Sequence, residues 1–138
     1  MLPDSRKGTH MHKVLVVDDS RTIRLILRRI LLEIGCEVSE ASNGREALDL
    51  VNAESGAIGL VMADWNMPEM NGFELLKALR SRPDLTDLKI VMVTTEAELG
   101  HMSMALEAGA NEYIMKPFTK EIVLEKLDLL GVLPQVGV

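Results

Sequence analysis

The chain has 138 residues, enough for one domain with a sizeable buried core, and its apolar and charged fractions of 47% and 26% are those of a globular protein. A formal net charge of −6 argues against a general nucleic-acid or anionic-membrane binder, which would present a basic surface. No run approaches the roughly 20 apolar residues of a membrane span, the N-terminus lacks a signal-peptide core, and the single cysteine, Cys36, excludes an internal disulfide. The expectation is a cytoplasmic protein whose partners are other proteins or cations.

Residues 1–12 show no periodicity and are read as a flexible lead-in, with a possible cloning remnant at Gly8 to Met11; His10 and His12 are given no role. Lys13 to Val17 is a short apolar run rich in β-branched residues, the pattern of a parallel strand buried on both faces. Asp18 and Asp19 end it, and Ser20 caps a helix carrying Ile23, Ile26 or Leu27, Ile30 and Ile34 at helical spacing up to Gly35. Cys36 to Ala41 alternates as a second strand, with Cys36 in the core, and Asn43 caps a helix to about Ala53.

Ile58 to Ala63 is the third strand and carries Asp64 at its end. Asn71 caps the next helix, with Phe73, Leu75, Leu76 and Leu79 as its apolar positions and Pro83 beyond its end. Lys89 to Val93 is the fourth strand, followed by Thr94, Thr95 and Glu96, and Ala97 to Ala108 is a helix stopped by Gly109. Tyr113 to Met115 is the fifth strand, followed by Lys116 and Pro117, and Thr119 caps a last helix through Ile122, Val123, Leu127 and Leu130. The domain is expected over 13–131, with 132–138 a short tail too small for an effector domain. Five strand–helix alternations predict an α/β fold, a doubly wound (βα)5 domain with helices on both faces of a parallel sheet. Met62, Met92, Met102, Met104 and Met115 are expected to fill core gaps, although Met102 and Met104 cannot both face inward on one helix, which leaves one of them as a candidate for a partner surface.

Parallel strands all point the same way, so the residues that follow them gather at one edge of the sheet. Asp18 and Asp19 follow the first strand, Asp64 the third, Thr94 the fourth and Lys116 the fifth. Taken alone, Asp64 is equally well explained as a turn residue. Clustered acids would repel each other, by roughly 4 kcal/mol for a pair about 4 Å apart at an effective dielectric near 20, and a hard divalent cation would reverse that sign. Mg2+ fits one or two carboxylates plus waters and phosphate oxygens better than Ca2+ fits this small donor set. With the cation in place, Asp64 could attack phosphorus as a nucleophile, Lys116 neutralise the transferring group and Thr94 hold one of its oxygens. The chemistry predicted is phosphoryl transfer onto Asp64.

These residues resemble the receiver domains of two-component response regulators, and among them the CheY-like single-domain chemotaxis regulators. The resemblance lies in Asp18-Asp19, in Asp64-Trp65-Asn66-Met67-Pro68-x-Met70-x-Gly72-x-Glu74-Leu75-Leu76, in Thr94-x-Glu96 and in Tyr113-x-x-Lys116-Pro117-Phe118, and it spans about Lys13 to Leu130. It implies a flavodoxin-like strand order of 2-1-3-4-5, a phosphohistidine of a histidine kinase as donor and Asp64 as phosphoacceptor. It further implies Mg2+, or Mn2+ as a substitute, held by Asp19, Asp64 and the Asn66 carbonyl, with Asp18 acting through water. Thr94 and Tyr113 would form a switch pair, Thr95 would flank the phosphoryl pocket, Lys116 would pair with the phosphoryl group across a cis bond to Pro117, and Asn66 and Glu96 would tune dephosphorylation. The output would be a changed surface around the fourth helix, fifth strand and fifth helix, with the flagellar motor switch as the favoured target and a monomer as the expected state.

Two departures from the common family pattern are Asn71, still a good cap, and Thr95, whose branched side chain is expected to slow access to the phosphoryl pocket. Arg21, Arg24 and Arg28 share a face of the first helix, read foremost as a solvated face and secondarily as a kinase contact. The alternatives are a receiver in a phosphorelay or one that adjusts a kinase. A haloacid-dehalogenase-type phosphatase would need its nucleophile after the first strand in an Asp-x-Asp pattern, which Asp18-Asp19-Ser20 breaks, and a flavodoxin-like nucleotide binder would need a glycine- or hydroxyl-rich loop there.

Overall fold

The computed structural model describes residues 13–54, 56–95 and 99–132; the lead-in with His10 and His12, Glu96, the predicted helix start at Ala97 and most of the C-terminal tail lie outside them. Five parallel strands form one sheet in the order β2-β1-β3-β4-β5: β1 Lys13–Val17, β2 Glu37–Ala41, β3 Ile58–Ala63, β4 Lys89–Thr95 and β5 Glu112–Lys116. The helices between and after them are α1 Arg21–Glu33, α2 Gly44–Ala53, α3 Gly72–Arg80, α4 Leu99–Glu107 and α5 Lys120–Leu129, and a short 3-10 turn spans Pro83–Leu85. The predicted fold class and strand order are those observed.

Successive strand residues point to opposite faces, and this divides the core in two. Leu15, Val17, Val61, Ala63, Ile90 and Met92 face α2, α3 and α4, through Ala47, Leu75, Leu76, Leu79 and Ala105. Val14, Val16, Leu60, Met62, Val91 and Val93 face α1 and α5, through Leu27, Ile30, Leu31, Val123 and Leu127. Both faces of the central strands are therefore covered, which is why their sequences read as unbroken apolar runs. Cys36 lies in the second of these layers, as expected, and its burial pushes the thiol pKa up, away from reactivity.

All four predicted caps form. The side chains of Ser20, Asn43, Asn71 and Thr119 accept from the backbone N–H groups of Ile23, Glu46, Glu74 and Ile122 at 3.3, 2.9, 2.8 and 3.1 Å. At α3 the Glu74 carboxylate also accepts from the Asn71 N–H, completing a capping box that starts the helix just beyond Asp64.

Several expectations are corrected. Strand β4 runs two residues further than predicted, so Thr94 lies inside its last turn of pairing, and the start of β2 moves from Cys36 to Glu37. Met62 and Met92 are core residues, but Met102, Met104 and Met115 are 42–50% exposed, and Ile26 and Ile122 also face outward. The apolar pattern of α4 and α5 is wider than the faces they bury, because each packs on the sheet by a narrow stripe only. On α1 the basic residues are not one solvated face. Arg24 donates from Nη1 to the Asp18 carbonyl at 2.6 Å and from Nε to Glu40 of β2 at 2.9 Å, and Arg28 reaches the same carboxylate at 3.2 Å. Arg24 thus braces the turn that carries Asp18, and of the three arginines Arg21 is the exposed one.

Candidate functional site

The carboxyl ends of β1, β3, β4 and β5 meet at one edge, with their ends aligned by backbone pairing. The Asp64 N–H donates to Val17 O at 2.9 Å and the Asp18 N–H to Ala41 O at 3.1 Å, so each acid is the next residue of its strand's ladder rather than part of a loose turn. Asp18, Asp64 and Thr94 are the buried polar residues of the described chain, 2%, 7% and 1% exposed, while Asp19 projects into solvent beside them. One carboxylate oxygen from each of Asp18, Asp19 and Asp64 lies within 4.8 Å of the others.

Lys116 lies between the two buried acids. Its Nζ donates to Asp18 Oδ2 at 2.8 Å and stands 3.5 Å from Asp64 Oδ2. The other Asp18 oxygen accepts from the Ser20 N–H at 2.8 Å, so the Asp18 carboxylate is already engaged on both sides. At Asp64 the pKa is pushed above the ordinary carboxylate value, first by burial and then by the negative charge of Asp18; Lys116, the Thr94 hydroxyl and the Trp65 N–H oppose this. In register, Thr95 pairs with Lys116 and Thr94 with Met115, so the hydroxyl residue directly across from Lys116 is Thr95, and Thr94 lies one position back on β4. Thr95 is exposed at the strand end, Tyr113 is buried in the α3–α4 layer, and the Lys116-Pro117 bond is cis. Asn66 is exposed on the β3–α3 loop, where the backbone of Glu69 takes a positive φ of 69°, a turn the sequence did not announce.

Asp64 being ionised at neutral pH therefore costs folding energy. Because its folded pKa is raised, its contribution to stability is fullest below the unfolded carboxylate value and is lost as pH rises through the folded value. Asp64→Asn is accordingly expected to raise stability at pH 7 by about 1 kcal/mol, and the gain should vanish in melts run near pH 4. An equal gain at both pH values would show that charge is not its cause.

One feature had no sequence signal. Trp65, buried beside Asp64, stacks with Phe73 of α3 at 4.9 Å between ring centroids and 5° between planes, and with His101 of α4 at 4.0 Å and 2°. Lys77 lies over the Phe73 ring at 4.7 Å. Phe73 was legible as an apolar helix position, but nothing in the spacing of His101 marks it as a neighbour of Trp65.

The response regulator receiver domain model matches residues 14–128. A chemotaxis protein CheY homolog of Campylobacter jejuni is 47% identical over 121 residues, 86% of this chain and 92% of that protein. Chemotaxis protein CheY1 of Helicobacter pylori is 44% identical over 119 residues, 86% of this chain and 95% of its own length. Among solved structures, chemotaxis protein CheY4 of Vibrio cholerae superposes with a TM-score of 0.79 at 37% identity, covering 86% of this chain and 98% of that one. The fold, the acidic edge and these relatives agree: the chain belongs to the response regulator receiver domains, of the CheY type.

Proposed function

We propose that this protein is a phosphorylation-dependent signalling domain, and not a turnover enzyme, that accepts a phosphoryl group on Asp64 from the phosphohistidine of a histidine kinase. The observation that carries the reading is the convergence of Asp18, Asp19 and Asp64 with Lys116 set between two of them. An Asp64 carboxylate oxygen attacks phosphorus, the P–N bond of the phosphohistidine breaks, and an acyl phosphate forms. The Lys116 ammonium offsets the added charge, and the Thr94 hydroxyl, buried at the end of β4 and acting to lower the Asp64 pKa, is placed to hold a phosphoryl oxygen.

The donor set suits Mg2+: three hard carboxylates, of which Asp18 is taken by Lys116 and Ser20, leaving Asp19, Asp64 and the Asn66 carbonyl as direct ligands and Asp18 acting through water. When bound, the ion supplies charge neutralisation at the transferring phosphoryl group, and Mn2+ could substitute. Tyr113 pairs with Thr94 as the switch, and Asn66 and Glu96 tune hydrolysis. Thr95→Ala is expected to shorten the phosphoryl lifetime, since Thr95 stands exposed next to Lys116; an unchanged lifetime would remove Thr95 from this role.

Binding carries the output. Exposed Met102, Met115 and Ile122, with Tyr113, Pro117 and Lys126, line a depression of about 310 Å3 across α4, β5 and α5, an adaptable apolar surface suited to a protein target. The relatives' names support a role in chemotaxis, and the family resemblance makes the flagellar motor switch, in the cytoplasm, the favoured target. Incubation with acetyl phosphate and Mg2+ followed by intact mass should give a gain of one phosphoryl in the wild type and none in Asp64→Asn. No gain in the wild type, or a gain that persists in the variant, would sink the reading.

A further inference from the structure

Helix α4 is thinly anchored. Of its described side chains Ala105 alone is buried, while Met102, Met104 and Leu106 are 42–45% exposed. A single methyl group is a weak hold on a helix, so the plane-on-plane contact of His101 with Trp65 is a large part of what fixes its first turns. Trp65 in turn is held by Phe73 of α3, and in the chain it directly follows Asp64, so its backbone is continuous with the end of β3. A continuous path therefore runs from Asp64 through the peptide that joins it to Trp65 and one indole ring to α4, and it is independent of Thr94 and Tyr113.

We propose that His101 is a positioning residue that ties α4 to the Asp64–Trp65 segment, so that a change at Asp64 is transmitted to α4 through the Trp65 ring. This rests on Asp64 being the phosphoacceptor. Any movement of the Asp64–Trp65 backbone that accommodates a phosphoryl group shifts the indole, and the stacked imidazole carries the shift to the helix that bears Met102. Coupling of this kind is reciprocal: loosening α4 changes the setting of Trp65.

The test compares full-length wild type, His101→Ala and His101→Phe, with and without acetyl phosphate and Mg2+. Each sample is read by intact mass, by emission of Trp65, the single tryptophan, and by hydrogen exchange of α4. In unphosphorylated His101→Ala, the stack's worth predicts α4 exchange faster by about two- to ten-fold, with the central strands unchanged and Trp65 emission shifted to the red. On phosphorylation, with full mass gain, the change in α4 exchange should shrink by a similar factor, and His101→Phe, which keeps a flat ring, should restore both signals. Full mass gain with an α4 response equal to wild type, or faster exchange spread evenly over the whole fold, would overturn the proposal while leaving the phosphoacceptor reading intact. Absence of mass gain in the wild type would overturn both.

Discussion

Gly72→Ala is expected to cost about 3 kcal/mol or more, a fall of roughly 10 °C in Tm, and to disable the acidic edge at the same time. A Cβ at position 72 would stand 2.0 Å from the Asp64 carbonyl oxygen and 2.8 Å from its carbonyl carbon. Those are backbone atoms, and neither partner can turn aside as a flexible side chain would. The Gly72 N–H also donates to Trp65 O at 2.8 Å, so the first turn of α3 is pinned against the strand end from both directions. Relief would require β3 and α3 to separate, which pulls the Asp64 backbone out of its bond to Val17 O. Thermal melts measure the first effect, and loss of Mg2+-dependent quenching of Trp65 measures the second. A variant with wild-type melting and quenching would show that the strand end yields more easily than its packing implies.

The same contact shows where sequence reasoning reached and where it stopped. Gly72 stood in the run that carried the family resemblance, and its neighbours Asn71 and Glu74 were legible because a cap is a local device: one side chain, one N–H, three residues apart. The buried strands were legible for a related reason, since a strand covered on both faces has no position at which a polar residue is tolerated until it emerges. Emergence is what marked Asp18, Asp64 and Lys116. What could not be read depends on contacts between elements distant in sequence. Arg80 donates to Gly109 O, Leu85 O and the Asn111 side chain at 2.9, 3.1 and 2.9 Å, closing the opposite edge of the sheet, yet on its helix it reads as one more basic residue. Arg24 gave the opposite error, a surface reading for a residue turned inward onto Glu40 and Asp18. The methionines of α4 and β5 failed for a third reason: apolar character is common to core and interface, and only the packing decides which is meant.

Lys116→Met should be the most damaging single change among the charged residues at the site, by about 2–3 kcal/mol at neutral pH. Lys116 Nζ is the cation in contact with both buried acids, and its removal leaves Asp18, whose side chain is 2% exposed, facing Asp64 with no compensating charge from β5. Breaking such a pair costs more than the pair is worth, because the remaining charge stays desolvated; the partial exposure of the lysine, 16%, places the cost below the fully buried range. The pH dependence has a definite sign. Lys116 holds the Asp64 pKa down against burial and Asp18, so the variant's Asp64 pKa rises further, and protonation relieves the repulsion as pH falls through it. The gap between variant and wild type should therefore be widest near pH 7 and narrow toward pH 4. Two controls separate repulsion from lost packing of the lysine stem. In an Asp64→Asn background the Lys116→Met cost should fall by at least half, and added Mg2+ should raise the melting temperature of the single variant more than that of the wild type, since a cation at the acids restores the missing charge. A cost that is the same at both pH values and in both backgrounds would assign Lys116 to packing and remove it from the electrostatic account of the site.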